Sequence, residues 1–302
     1  MSKEQIPKSK IEGGMTETPA LESPARQLNE RRSLPGAAGA SAGANAATAS
    51  GTPAAADASA TASGAPAAAD ASGARAVADA ASAAPRLLPA SIYQMTALEA
   101  APRLLGHTLV RRTEDGEIRS RIIETEAYGG VEDKGSHAFG GRRTDRTSIM
   151  FGEGGSAYVY LIYGMYSCLN VVTGQEGDPQ AVLIRATEPL TDLDRLIMSK
   201  YRDIKSRKPA DLSNGPGKLC RALRIDRSLN GLDLRIPGGP IWLEAGDESQ
   251  DFDIVESPRI NIDYAEEYAA KPWRFNIKDH PYVSVKAKNA PICGTFQGLQ
   301  LR

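Results

Sequence analysis

From Arg86 onward the apolar positions fall into short periodic runs separated by glycine, and the period changes along the chain. The stretch YQMTALEAAPRLLG, ending at Gly106, has the spacing of a short helix, with Thr96 and Glu99 placed as a capping box. The period then falls to two. In HTLVRRTEDGEIRSRIIETEAYGG two strand-like runs flank Asp115-Gly116, a strong short hairpin signal. A glycine- and arginine-rich loop follows, then the tyrosine-rich run YVYLIYGMYSCLNVVTG and the apolar AVLIRATEPL, each with strand character. Helices are predicted in TDLDRLIMSKYR and in KLCRALRI after NGPG. Strands are predicted again in LDLRIPGGPIWLEAG, DFDIVESPRINI and PYVSVKA. Strands first, in hairpins, with helices inserted late predict an α+β domain on a largely antiparallel sheet.

Strand alternation assigns faces. In RIIETEAY it places Ile122, Glu124, Glu126 and Tyr128 on one side and Ile123, Thr125 and Ala127 on the other. Two carboxylates and a phenol then share a face. A solvated strand face has the same pattern, but Gly129-Gly130 ends this strand at a loop, where sites tend to lie.

The run YVYLIYGMY holds four of the chain's ten tyrosines in nine residues. If Tyr163-Gly164-Met165 is a hairpin loop, Ile162 faces Tyr166, Tyr160 faces Cys168 and Tyr158 faces Asn170, which puts Tyr160 and Asn170 on one side. Tyr163 then stands at the tip, in water, as a ring able to wedge between stacked bases. The competing reading makes Gly164 a bulge within one continuous strand and Tyr163 a core residue.

Composition changes the picture at the N-terminus. Met1 to Pro85 contains no Phe, Tyr, Trp, Cys or His and consists mainly of Ala, Gly, Ser, Pro and Thr. With so little to bury it is expected to be a disordered tail, leaving 86–302 as the single folded domain. The seven basic and eight acidic residues of the tail leave 29 of each beyond it, so the folded part is formally neutral. Bulk charge therefore gives no support to a nucleic-acid partner, and any such contact must be local. Three widely spaced cysteines, Cys168, Cys220 and Cys293, argue against a disulfide framework or a CxxC metal site. The lack of a long apolar run or hydrophobic leader leads to the expectation of a soluble, intracellular protein.

Several ordered blocks carry a family resemblance. RIIETEAY, SHAFGGRRTDRTSIMF, YVYLIYGMYSCLNVVTG, AVLIRATEPL and NGPGKLCRAL resemble those of 3-methyladenine DNA glycosylases of the alkyladenine glycosylase type, from about Leu98 to near Val285. The resemblance implies a curved, largely antiparallel sheet with flanking helices and a protruding β-hairpin. It implies a monofunctional hydrolase, acting as a monomer without metal or other cofactor. Such an enzyme flips alkylated or deaminated purines (the 3-methyladenine, 7-methylguanine and hypoxanthine class) out of double-stranded DNA, cleaves the N-glycosidic bond and starts base excision repair. By block-to-block match, Glu126 resembles the general base that activates water, and Arg185 the arginine that helps to hold it. Tyr128, His137 and Tyr160 resemble the walls of the base pocket, Asn170 the residue that crowds a guanine amino group, and Tyr163 the side chain that fills the vacated stack. A cytoplasmic location is implied, at the nucleoid in a prokaryote, or a nuclear one in a eukaryote.

Some positions rest on chemistry alone. Arg142, Arg143 and Arg146, in a glycine-rich loop, suit phosphate contact, although a solvated basic loop has the same composition. TDRT stands where family members read TPRN, which sets Asp145 beside the expected DNA track. Lys218 follows Pro216 near a helix start, where a cation opposes the helix dipole unless an anion lies close by. His107, His137 and His280 have no metal-like spacing. A second class of function, a lesion or structured-nucleic-acid binder without turnover, is disfavoured by the pairing of Glu126 with Arg185, because binding alone needs no carboxylate beside the sugar.

Overall fold

In the computed structural model, which describes residues 85–247, 249–297 and 300–301, the chain enters through two short helices, α1 (Ala90–Gln94) and α2 (Ala97–Arg103). The tail expected over 1–85 lies outside the described residues apart from Pro85. The capping box is present: the Glu99 amide donates to Thr96 Oγ1 at 3.3 Å and the Thr96 amide to Glu99 Oε2 at 3.0 Å. Helix α2 buries Ala97, Ala100 and Ala101. These small side chains allow a close approach, so that Thr125 Oγ1 donates to the Ala101 carbonyl at 2.8 Å. That bond satisfies a buried hydroxyl and ties the helix to the back of the central strand.

Among the described residues ten strands form one sheet, paired antiparallel throughout. They are β1 (Thr108–Thr113), β2 (Gly116–Tyr128), β3 (Ala157–Ile162), β4 (Tyr166–Thr173), β5 (Gln180–Pro189), β6 (Ile241–Glu244), β7 (Phe252–Ser257), β8 (Arg274–Ile277), β9 (Ile292–Gln297) and β10 (Gln300–Leu301). Their order is β10-β9-β7-β8-β2-β5-β4-β3, with β1 added to β2 and β6 to β1. The long β2 pairs with β1 through its first half and with β8 through its second, while β5 runs along its other side. Helices α3 (Asp192–Tyr201) and α4 (Pro216–Ala222) fall where the pattern places them, as do the β1–β2 and β3–β4 hairpins. The α+β reading on a largely antiparallel sheet holds.

Two predicted strands are absent. LDLRI (232–236) makes turns and one isolated bridge, because the Asp233 carboxylate accepts from the Arg235 amide at 2.8 Å and grips its guanidinium at 2.9 Å. Such local side-chain bonds draw the backbone away from a ladder. PYVSVKA (281–287) is a loop whose Ser284 amide donates to a side chain, Glu124, in place of a neighbouring strand. RFNI, not singled out by its pattern, forms β8 instead.

The main core lies on one face of the sheet, under α2, α3 and α4, and takes in Ile118, Ile122, Ile123, Ala127, Val159, Leu169, Val171, Val182 and Ile184. A smaller cluster of Ala138, Met150, Tyr158, Val172 and Ala181 lies beneath the loop 131–156.

Candidate active site

Strict alternation along β2 predicts that Ile122 shares a face with Glu124, but Ile122 joins Ile123 in the main core. The register explains this correction. Ile122 pairs with Thr187 and Glu124 with Ala186, which leaves Ile123 as an extra residue on β2. Glu124 to Thr125 then spans Ala186 to Ile184, which leaves Arg185 as an extra residue on β5. Bulges of this kind re-aim side chains. The first reverses the phase of β2, so Glu124, Glu126 and Tyr128 leave the core face; the second frees Arg185 from the ladder.

Beyond the bulges, cross-strand neighbours line up. Glu126 pairs with Leu183, Leu183 with Asn170, and Asn170 with Tyr158; two residues along, Tyr128 pairs with Ala181 and Ala181 with Val172. Residues in such a row share a face. Together with the loop 131–156 they form a recess lined by Tyr128, His137, Tyr158, Tyr160, Asn170 and Tyr264, with Met150 and Ala181 also in its wall.

The Glu126 carboxylate is 0% exposed. Its Oε1 accepts from the Ile260 amide at 2.8 Å, and its Oε2 lies 3.0 Å from the donating Tyr128 hydroxyl and 3.3 Å from Arg185 Nη1. Of about four acceptor positions on a carboxylate, Tyr128 and Ile260 take one on each oxygen, the Arg185 charge lies against Oε2, and a position on Oε1 is left. Burial works against the Arg185 charge, but Glu126 and Glu124 outweigh it and its pKa is raised. Burial, reinforced by Glu126 and Tyr160, pushes the Tyr128 phenol well above its ordinary value, so it stays a donor to the carboxylate.

The rest of the recess is neutral and aromatic. Burial, helped by Arg146 and Arg142, lowers the His137 pKa to about 4, so the imidazole is uncharged at neutral pH. Arg146 Nη2 lies 3.1 Å from His137 Nε2, and His137 Nδ1 lies 2.9 Å from the Tyr158 hydroxyl. The His137 and Tyr160 rings meet edge to face at 4.6 Å. Burial raises the Tyr160 and Tyr158 pKa values. Asn170, 3% exposed, is oriented by its Nδ2 donating to the Tyr158 carbonyl at 3.0 Å.

A buried ion pair backs this wall. Arg259 grips Asp133 through Nη1–Oδ2 at 2.5 Å and Nη2–Oδ1 at 2.8 Å, and its guanidinium lies between the rings of Tyr128 (4.7 Å) and Trp273 (5.0 Å). Gly135 leaves room for this pair, since a Cβ there would press on Arg259 Nη2 at 2.9 Å.

The hairpin alternative is settled by the register: Ile162 pairs with Tyr166, Tyr160 with Cys168 and Tyr158 with Asn170 around a three-residue loop. Tyr163 is 76% exposed at φ +53°, an uncommon conformation for a bulky side chain, and Gly164 follows at φ +68°. Arg142, Arg143 and Arg146 are exposed on the loop beside the recess, with the Arg146 guanidinium 4.8 Å over Tyr160 and that of Arg143 5.2 Å over Phe151. Lys218 is paired, its Nζ donating to Asn214 Oδ1 at 2.7 Å with Asp211 at 3.6 Å, near the base of the hairpin where Gly217 abuts Tyr166. Among the described residues no group of three or more His, Cys, Asp or Glu is placed to hold a metal ion, and no helix is long and apolar enough to cross a membrane.

A family model described as Methylpurine-DNA glycosylase (MPG) matches residues 91–281. The chain is 48% identical over 198 residues to a protein of Natranaerobius thermophilus, covering 66% of this chain and 98% of the relative. It is 49% identical over 202 residues to one of Bacillus cereus and 46% over 203 residues to one of Desulfitobacterium hafniense, with the same shares covered. All three carry the name "Putative 3-methyladenine DNA glycosylase". The chain belongs to the methylpurine-DNA glycosylase family. It is a DNA repair hydrolase of the N-glycosyl bond, with DNA as its substrate.

Of the residues expected in the site, Tyr128, His137, Tyr160 and Asn170 line one recess, Glu126 and Arg185 are joined to its wall through Tyr128, and Tyr163 stands on the hairpin that carries Tyr160. Sequence reasoning missed Tyr264, whose hydroxyl donates to the Gly135 carbonyl at 3.3 Å, as well as Tyr158, Arg259, Asp133, Ile260, Arg274 and Ser284. Tyr158 had a usable signal, since parity places it on the face of Tyr160. Asp133 lies in the loop just after β2, the rest come from loops or strand ends more than 130 residues beyond that strand, and no local pattern marks any of them.

Proposed function

We propose that this glycosylase flips alkylated and deaminated purines, of the 3-methyladenine, 7-methylguanine and hypoxanthine class, out of duplex DNA into the phenol-lined recess and hydrolyses their N-glycosidic bond. Glu126 is the general base: its remaining Oε1 acceptor position takes a proton from water as that water bonds to C1′ and the electron pair of the C1′–N bond leaves with the base. Arg185 holds the carboxylate from the far side. Tyr128, His137 and Tyr160 embrace the purine, Asn170 discriminates against an ordinary guanine, and Tyr163 fills the gap in the stack. Arg142, Arg146 and Lys218 supply the phosphate contacts.

The observation that carries this reading is the wholly buried Glu126 carboxylate, hydrogen-bonded to the Tyr128 hydroxyl in the wall of an uncharged aromatic recess. A carboxylate suits the cation-like sugar of glycoside hydrolysis, and a cationic or poorly stacked purine is both cheap to unstack and well held by π faces. Incubation with hypoxanthine- and 3-methyladenine-containing duplexes tests it. Wild-type protein should release free base, and Glu126→Gln should bind the lesion duplex yet release base at least about 100-fold more slowly, at the level expected for loss of general-base catalysis. Binding without release by the wild type would favour the non-catalytic alternative.

A further inference from the structure

The site contains a second carboxylate that makes no contact with the recess. Glu124 is 0% exposed and accepts four bonds: Arg274 Nη1 at 2.9 Å, Arg185 Nε at 3.2 Å and Ser284 Oγ at 2.9 Å on Oε1, and the Ser284 amide at 2.6 Å on Oε2. Ser284 also accepts from Arg185 Nη2 at 3.3 Å. Arg274 is fixed in turn by the carbonyls of Pro258 (3.0 Å) and Val285 (2.8 Å). Ser284 belongs to the loop between β8 and β9, and the preceding Tyr282 and Val283 are anchored in the core at 4% and 5% exposure.

These contacts divide the Arg185 fork. One edge, Nε and Nη2, is held by Glu124 and Ser284, and only Nη1 is left to face Glu126. Because Arg185 is the bulged residue of β5, no ladder position defines its direction. Without the clamp, the planar fork has an alternative, which is to close on Glu126 with both nitrogens, as guanidinium and carboxylate groups favour. That would occupy the acceptor position that a water needs.

We propose that Glu124 and Ser284 are positioning residues, which hold Arg185 in a single-nitrogen contact with Glu126 and thereby keep the general base open to water. This rests on the roles assigned to Glu126 and Arg185 above. It brings the loop between β8 and β9 into the catalytic apparatus, although no residue of that loop touches the recess. Arg274 and Arg185 together balance the charges of Glu124 and Glu126 in the buried set.

The test uses the full chain and a hypoxanthine-containing duplex, with single-turnover release rates and separate binding titrations. Ser284→Ala should lower the release rate about 3- to 10-fold, the effect of one lost hydrogen bond, with lesion-duplex affinity unchanged within about twofold. Ser284→Thr, which keeps the hydroxyl, should restore the rate. The Ser284→Ala loss should also vanish in an Arg185→Lys background, because the effect passes through the guanidinium. An unchanged rate in Ser284→Ala, or an equal loss in the Arg185→Lys background, overturns the proposal. Glu124→Gln is the harsher variant and is read the same way if it folds. A readout free of turnover separates the two claims: the Arg185 Nε–H should give a protected NMR resonance in wild type that exchanges faster in Ser284→Ala. Protection that survives the substitution overturns the clamp whether or not base is released, whereas a wild type that shows the clamp but releases no base counts against the reaction alone.

Discussion

Replacing Tyr163 by alanine isolates the wedge from everything else in the molecule. The ring is 76% exposed, so of the roughly 200 Å² that a tyrosine can bury about 150 Å² is available to a base stack. At about 25 cal/mol per Å² its full insertion is worth about 4 kcal/mol. Alanine retains about a quarter of that area, so the loss is about 3 kcal/mol, or about 100-fold in the population of the flipped complex. The backbone contributes little to the comparison, because alanine meets the same penalty at φ +53°. The fold should be untouched, with a melting temperature within about 2 °C of wild type. The assay is hypoxanthine release at limiting enzyme from a duplex and from the same strand unpaired. An unpaired base leaves no gap to fill, so the single-strand rate should barely change, while the duplex rate falls and Tyr163→Phe largely restores it. Equal losses on both substrates would refute the wedge.

Other expectations concern stability and the tail. Asp133→Ala leaves the Arg259 guanidinium buried and unpaired behind Tyr128, and should cost about 3–5 kcal/mol in denaturant unfolding. Burial holds the His107 pKa down at about 4, below its unfolded value, so the unfolded chain takes up the proton first. Stability should therefore be complete above about pH 6.5 and decline as pH falls toward 4, by up to about 3 kcal/mol from this residue, and His107→Gln should flatten the melting-temperature profile in that window. Deleting residues 1–75 should leave turnover on short oligonucleotides nearly intact; a collapse in rate would make the segment part of the working enzyme.

Local pattern carried the elements whose stabilising interactions are themselves local. The capping box of α2, the hairpins at Asp115-Gly116 and Tyr163-Gly164, and the shared face of Glu126 and Tyr128 follow from bonds and alternation within a few residues. Tertiary structure alone decided the rest. The two bulges that send Ile122 inward and release Arg185 depend on register between strands about 60 residues apart. The strand-like PYVSVKA becomes a loop because Glu124, 160 positions away, offers its amide a stronger, charged acceptor than a neighbouring strand would. Arg259 and Asp133 likewise find each other across 126 residues. Alternation and capping are encoded in neighbouring side chains, whereas a buried charge accepts whichever partners the packed chain brings to it, and no short window of sequence holds both ends of that contact.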